Sequence, residues 1–271
     1  MSFNFITFAA VGALIGTLAL VGCDQKEKDP NYIKVGVIVG SELEVAEVAA
    51  KVAKEKYGLD VELVTFNDYV LPNEALSNGD IDANAFQHKP YIDQQIKDRG
   101  YKLVSVGSIF VYPIAGYSKK IKSLDELQNG AQVAIPNDPT NLGRSLLLLQ
   151  KVGLIKLKDG VGLLPTSLDV VENLKNLKLV ELEAPQLPRS LDDQQIALAV
   201  INTTYASQIN LTPAKDGIFI EDKDSPYVNL IVAREDNKNA ENVKKFVQAY
   251  QSDEVNDAAN KVFNGGAVKG W

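Results

Sequence analysis

Apolar residues fall into two alternating patterns along most of the chain. Residues 33–39 are apolar enough for a buried strand and end at Gly40. From 42 to 57, Val45, Val48, Ala49, Val52 and Ala53 recur at helical spacing, and Gly58 suits the helix exit. A strand over 60–66, a short helix near 71–77, a strand starting at Ile81, a helix over 90–99 and a strand over 102–106 follow. Strands alternating with helices predict an α/β fold whose sheet is mainly parallel, with crossover connections.

The run 110–118 has Pro113 and Gly116 and no helical period, so it predicts an extended segment. A second α/β set comes after it. Ser123 with Glu126 three residues on predicts a helix opened by a capping box. A strand over 132–135, a leucine-rich helix over 141–152 closed by Gly153, and strands over 178–183, 196–201 and 217–221 complete the set. A second extended run, 225–232, again puts a proline beside a tyrosine, and helices over 240–251 and 254–262 end the pattern. Two alike runs flanking one α/β set predict two lobes joined by two crossing hinge strands, with 33–112 and 230–271 as lobe 1 and 113–229 as lobe 2. One continuous sheet with two strand-like edges is the alternative. No solenoid-type repeat is evident.

The first 32 residues follow neither pattern. Residues 8–22 are uncharged and rich in Ala, Val, Leu and Gly, short for a membrane span but suited to a signal-peptide core, and they end in Leu20-Val21-Gly22-Cys23. That ending resembles the bacterial lipobox, in which the peptide is cut before the cysteine and the thiol is lipidated. An ordinary secretory peptide with a chance cysteine is the alternative, and the absence of Lys and Arg before residue 9 departs from the usual basic start. The expected parts are a signal peptide over 1–22, an acyl anchor such as palmitate on Cys23, and a polar tether over 23–32. Buried acyl CH₂ groups contribute roughly 0.8 kcal/mol each, so several chains anchor stably. Asp24, directly after the cysteine, resembles the signal that keeps lipoproteins at the periplasmic face of the inner membrane.

Charge and chemistry narrow the reading. A net charge of -7 without a basic stripe argues against a nucleic-acid partner, and one cysteine excludes an intramolecular disulfide. No phosphate-binding glycine loop and no nucleophile elbow is found. One His and one Cys assemble neither a Cys–His nucleophile nor a multi-histidine metal site, so no catalytic residue, metal or cofactor is expected. Asp80 and Asp82 read as solvated carboxylates.

The single histidine, His88, lies between Phe86 and Tyr91 just beyond a strand, where open α/β sheets bind ligands. A surface or satisfied core histidine is the plainer alternative. The run Asn137-Asp138-Pro139-Thr140-Asn141-Leu142-Gly143-Arg144-Ser145 joins a strand to a helix start, where unpaired N–H groups and the helix dipole favour an anion. Arg144 adds a fork that matches a carboxylate. Its alternative is an exposed first-turn arginine, which the dipole disfavours. Asn202, after the strand 196–201, and Asn229, inside the second extended run, are placed to face a cleft, although each also suits a turn or solvent.

The stretches Ile33-Lys34-Val35-Gly36-Val37, Asp82-Ala83-Asn84-Ala85-Phe86-Gln87-His88, Val111-Tyr112-Pro113-Ile114-Ala115-Gly116-Tyr117-Ser118, Pro136 to Arg144, and Phe263 to Trp271 together closely resemble the methionine-binding lipoproteins of bacterial ABC importers. The resemblance spans the mature chain. It implies a two-lobed periplasmic-binding-protein fold that delivers methionine, L and possibly D, to a permease and ATPase. It also implies an aromatic pocket from Tyr69, Phe86, His88 and Tyr91, with Arg144 on the carboxylate and Asn202 and Asn229 at the polar end. The α-ammonium falls to asparagine and backbone oxygens. A thioether gains roughly 0.3–1.5 kcal/mol from aromatic contact beyond its burial, and lobe closure around it shifts an open–closed equilibrium. Two other readings stand beside this one: a receptor for another small ligand such as a methionine-containing dipeptide, and a His88-dependent hydrolase.

Overall fold

The computed structural model describes Met1 and residues 29–271. The expectations for the signal peptide, Cys23 and most of the tether fall on residues outside these.

The chain opens with β1 (Tyr32–Ile38), α1 (Ser41–Tyr57), β2 (Asp60–Phe66), α2 (Leu71–Asn78), β3 (Ala83–His88), α3 (Lys89–Arg99) and β4 (Leu103–Val111). Gly40, at φ 107, makes the sharp entry into α1, and Gly58, at φ 64, donates back to Ala53 and Lys54 to end it. Val45, Ala46, Ala49, Val52 and Ala53 form the buried face of α1, as their spacing predicts.

A second set follows: β5 (Ala115–Tyr117), β6 (Gln132–Pro136), α4 (Pro139–Lys151), β7 (Lys156–Leu157), β8 (Val170–Glu172), β9 (Lys178–Leu182), α5 (Leu187–Ser190), β10 (Ile196–Ile201), α6 (Thr203–Ser207), α7 (Pro213–Asp216) and β11 (Phe219–Ile220). The chain then returns through β12 (Val228–Arg234), α8 (Glu241–Tyr250), α9 (Asp253–Val262) and β13 (Val268–Lys269).

Two main sheets result, ordered β13-β4-β12-β3-β1-β2 and β11-β5-β10-β6-β9. Each carries its own apolar core: α1, α8 and α9 cover the first around Val35, Val45, Phe246 and Tyr250, and α4 covers the second around Val133, Leu146, Leu149 and Leu198. These are the two lobes. The chain passes between them at residues 112–114 and again between β11 and β12, and the two passages meet where Val228 pairs with Val111. A further apolar cluster joins Ile38, Phe86 and Tyr91 of the first lobe to Tyr117, Leu187, Ile201 and Tyr205 of the second.

Three expectations need correction. The sheets are mixed: β1 runs parallel to β2 and β3, and β6 to β9 and β10, but β12 and β5 run antiparallel to their neighbours. The antiparallel strands flank the passages between lobes, and an apolar run reads alike in either direction. The capping-box helix at Ser123 is a single 3₁₀ turn, Leu124–Glu126, with no side-chain cap on Ser123. Leu127, buried in the second core, turns the chain extended there, and Glu126 accepts from the Lys122 N–H at 3.2 Å instead. Asp82 is buried rather than solvated: it accepts the Lys34 N–H at 3.0 Å and lies 3.8 Å from Arg234.

Candidate functional site

A small cavity lies where the lobes meet. The structure brings Tyr69, Phe86, His88, Tyr91, Arg144, Asn202 and Asn229 together around it. Gln87, Tyr112, Asn141, Thr203 and Thr204 also line it and were not singled out from the sequence. Thr203 and Thr204 directly follow Asn202 past a strand end, and Asn141 lies in the polar run before Arg144, so position was the signal that each offered.

The first lobe supplies the aromatic wall. Ring centres are 5.8 Å apart for Tyr69 and Phe86, 6.1 Å for Tyr69 and Tyr91, and 6.2 Å for Phe86 and Tyr91, within the range of favourable pairs. The Tyr91 hydroxyl donates to the Tyr69 carbonyl at 2.9 Å. Behind this wall Asn73, Asn84 and Gln87 form a buried amide network that ties β3 to α2. It accounts for a strand that is buried along its whole length yet half polar. Asn229, expected within the second passage, pairs in the first sheet opposite His88 and donates to the Phe86 carbonyl at 3.0 Å.

His88 ends β3 and caps α3. Its Nδ1 accepts the Tyr91 N–H at 3.2 Å, so the neutral ring carries its proton on Nε2, which donates to Asn141 Oδ1 at 3.1 Å. Burial first, and the charge of Arg144 second, push its pKa down to about 3. Both ring nitrogens are thus committed, to a backbone N–H and to an amide, which leaves neither a lone pair nor a mobile proton for hydrolysis. The hydrolase reading ends here.

The second lobe supplies the polar wall. Asp138 caps α4, accepting the Asn141 N–H at 2.9 Å. Both of its oxygens also accept from the Asn141 amide nitrogen, which turns Asn141 Oδ1 outward. That oxygen accepts from His88 and, at 2.8 Å, from Asn202 Nδ2. Burial raises the Asp138 carboxyl above its ordinary range while these hydrogen bonds pull it back.

Arg144 is not the exposed first-turn arginine of the plainer reading, and part of its fork is already engaged. It lies in the second turn of α4 rather than the first, 3 % exposed, and its anionic partner comes from its own chain. Nε donates to Glu221 Oε1 at 2.9 Å, while Nη2 is shared between Glu221 Oε2 and the Tyr112 carbonyl. Nη1 takes no hydrogen-bond partner among the described residues. The Tyr227 ring lies 4.4 Å from the guanidinium carbon and 5.1 Å from the His88 ring. Glu221 also bonds Ile114, so this ion pair ties together the two passages between lobes.

The arrangement offers a ligand an aromatic slot at one side. At the other it offers one remaining guanidinium edge, amides and hydroxyls.

The family model described as NlpA lipoprotein matches residues 33–271. The chain is 89% identical over 271 residues, all of both proteins, to the D-methionine-binding lipoprotein MetQ of Salmonella typhimurium. A crystal structure of the methionine binding protein MetQ superposes with a TM-score of 0.89 at 89% identity, covering 90% of this chain and 99% of that one. A nutrient binding protein from Burkholderia cenocepacia bound to methionine gives a TM-score of 0.85 at 54% identity, covering 88% of this chain and 100% of that one.

Proposed function

The chain belongs to the NlpA lipoprotein family, and from that premise we propose that it captures methionine between its two lobes and delivers it to an ABC transporter. It is a binding protein and not an enzyme. The observation that carries the ligand assignment is the division of the cavity, with aromatic rings on one wall and amides, hydroxyls and a guanidinium on the other. An amino acid with an unbranched thioether side chain matches both walls: sulfur packs well against rings, and the zwitterionic end meets the polar groups.

In this reading Tyr69, Phe86 and Tyr91 hold the side chain, with His88 at its edge. Arg144 offers Nη1 to the carboxylate while Glu221 holds its other edge, and Asn202 and Asn229 flank the polar end. The lobes are taken as 33–112 with 230–271, and 113–229; sheet membership supports this division except that Val228 and Asn229 already pair in the first sheet. The side-chain slot contacts the part that L- and D-methionine share, so the proposal extends to both. The protein is held by lipid on Cys23 at the periplasmic face of the inner membrane, where a permease and its ATPase receive the closed form.

Calorimetry on the full-length protein in detergent tests the ligand. Saturable one-site binding of L- and D-methionine, with leucine much weaker, is the expected result. Absence of methionine binding, or tighter binding of a methionine-containing dipeptide, overturns it. Cys23→Ala tests the anchor and is expected to release the protein from membranes.

A further inference from the structure

Glu42 has no part in the site as described. It lies in the first turn of α1, where a glutamate is ordinarily solvated, yet it is 1% exposed. Its Oε1 accepts the hydroxyl of Thr204, which belongs to α6 of the other lobe and lines the cavity. Its Oε2 is buried with no partner, and no lysine or arginine pairs with it among the described residues. Buried carboxylates are ordinarily paired with a cation. This one stands directly behind a cavity wall without one.

The hydrogen-bond inventory at that wall is specific. A threonine hydroxyl carries one proton; with that proton donated to Glu42, Thr204 Oγ1 has only lone pairs to offer on the cavity side, where the Tyr69 hydroxyl is also within hydrogen-bonding reach. Two residues earlier, Asn202 does the same: its Nδ2 is donated to Asn141, and its Oδ1 is buried without a partner. The β10–α6 junction therefore presents two acceptors, whereas Arg144 presents only donors. A ligand with a cationic and an anionic end meets complementary groups at both.

We propose that Glu42 is a positioning residue for the ammonium group of the ligand, holding the Thr204 hydroxyl as an acceptor and supplying the negative charge behind it. This rests on the reading of the chain as a methionine receptor. Burial pushes the Glu42 carboxyl up to about 8, with the Thr204 hydrogen bond pulling the other way. The ionisable groups it faces are the phenols of Tyr69, Tyr112, Tyr205 and Tyr250, none of them a cation at neutral pH. A cation arriving on the cavity side favours the ionised carboxylate, so binding at neutral pH releases a proton.

Two calorimetric measurements on the full-length protein decide it. In buffers of different ionisation heat, methionine binding to the wild type at neutral pH is expected to release a fraction of a proton that is absent in Glu42→Gln. The same variant is expected to lose about tenfold or more in methionine affinity, and under about twofold for 2-hydroxy-4-(methylthio)butanoate, where a hydroxyl replaces the ammonium. Thr204→Val gives the same selective loss and serves should Glu42→Gln not fold. Parallel losses for both ligands, unchanged methionine affinity, or proton release that persists in Glu42→Gln overturns the proposal. A wild type that binds no methionine overturns the assigned ligand instead.

Discussion

The two walls of the cavity are built differently. The aromatic wall is built from first-lobe rings: Tyr69, Phe86 and Tyr91 contact one another, their support comes from the Tyr69 carbonyl, Asn229 and the amide network under β3, and across the lobes the Tyr69 ring packs on Tyr205 at 4.9 Å between centres. The polar wall completes itself only against the other lobe or the passages between them. Asn141 meets His88, Thr204 meets Glu42, Arg144 meets the Tyr112 carbonyl, and Thr203 donates to the Pro113 carbonyl at 2.5 Å. The rings that take the apolar end are therefore set mostly by one lobe, whereas the hydrogen bonds around the polar end depend on closure. A ligand that satisfies only the aromatic wall has little differential affinity for the closed state and does not shift the equilibrium.

The change that breaks this asymmetry most is Arg144→Ala. It leaves the largely buried Glu221 carboxylate without its cation and unties both passages. A loss of about 3–5 kcal/mol in urea-unfolding stability is expected, together with loss of methionine binding. Adding Glu221→Gln should restore part of the stability and none of the binding. Stability unchanged in the single variant would mean that the ion pair does not hold the hinge.

Phe86→Ala attacks the other wall. Losing one ring from the slot should weaken methionine binding by about 2 kcal/mol and narrow its margin over alanine. The cross-lobe bonds are untouched, so X-ray scattering should still register compaction at saturating ligand. A variant that binds normally would remove the aromatic wall from recognition.

The same asymmetry explains what was legible beforehand. Periodicity gave the longer strands and helices of both lobes but not the short elements β7, β8, α5, α6, α7 and β13, and a histidine between two aromatics at a strand end marked the aromatic wall, because β3 and α3 carry that wall in one short stretch. The polar wall was only partly legible. Asn202 and Arg144 stand out as polar residues at element ends, but Glu221, the partner of Arg144, is 77 residues away in the sequence, at the end of a two-residue strand. Glu42 looks like any acidic residue complementing a helix dipole, and its burial depends on a threonine 162 positions later. Local pattern carries the elements and the residues at their ends. It does not carry which side chains meet across lobes.

His88 belongs to the seam between the walls, and acid should expose its role. Its folded pKa of about 3 lies below the ordinary 6.5, so its contribution is fully present above 6.5 and is lost as pH falls toward 3. Between pH 7 and 5 that amounts to about 2 kcal/mol. Glu42, raised to about 8, acts in the opposite sense over the same window, since the folded state holds its proton more tightly. Wild-type stability should therefore change little. His88→Gln removes one of the two slopes, so the variant should gain about 2 kcal/mol relative to wild type from pH 7 to pH 5 in urea melts. Parallel pH profiles would mean that the histidine is not held neutral by the fold.

The smallest expected effect isolates closure itself. Gln208 follows α6 and donates to the Val39 carbonyl of the first lobe at 2.9 Å, with its side chain against Gly40. It lines neither wall, and its bond exists only while the lobes are together. Gln208→Ala should leave the open protein's urea stability within about 0.5 kcal/mol of wild type, as expected for a surface change. Methionine affinity should fall by about 1 kcal/mol, the contribution of one hydrogen bond, mostly through faster release. The polar-wall and aromatic-wall variants alter contacts with the ligand, whereas this one alters only the equilibrium that the ligand shifts. Equal affinity in the variant would place the energetic weight of closure on the cavity residues alone.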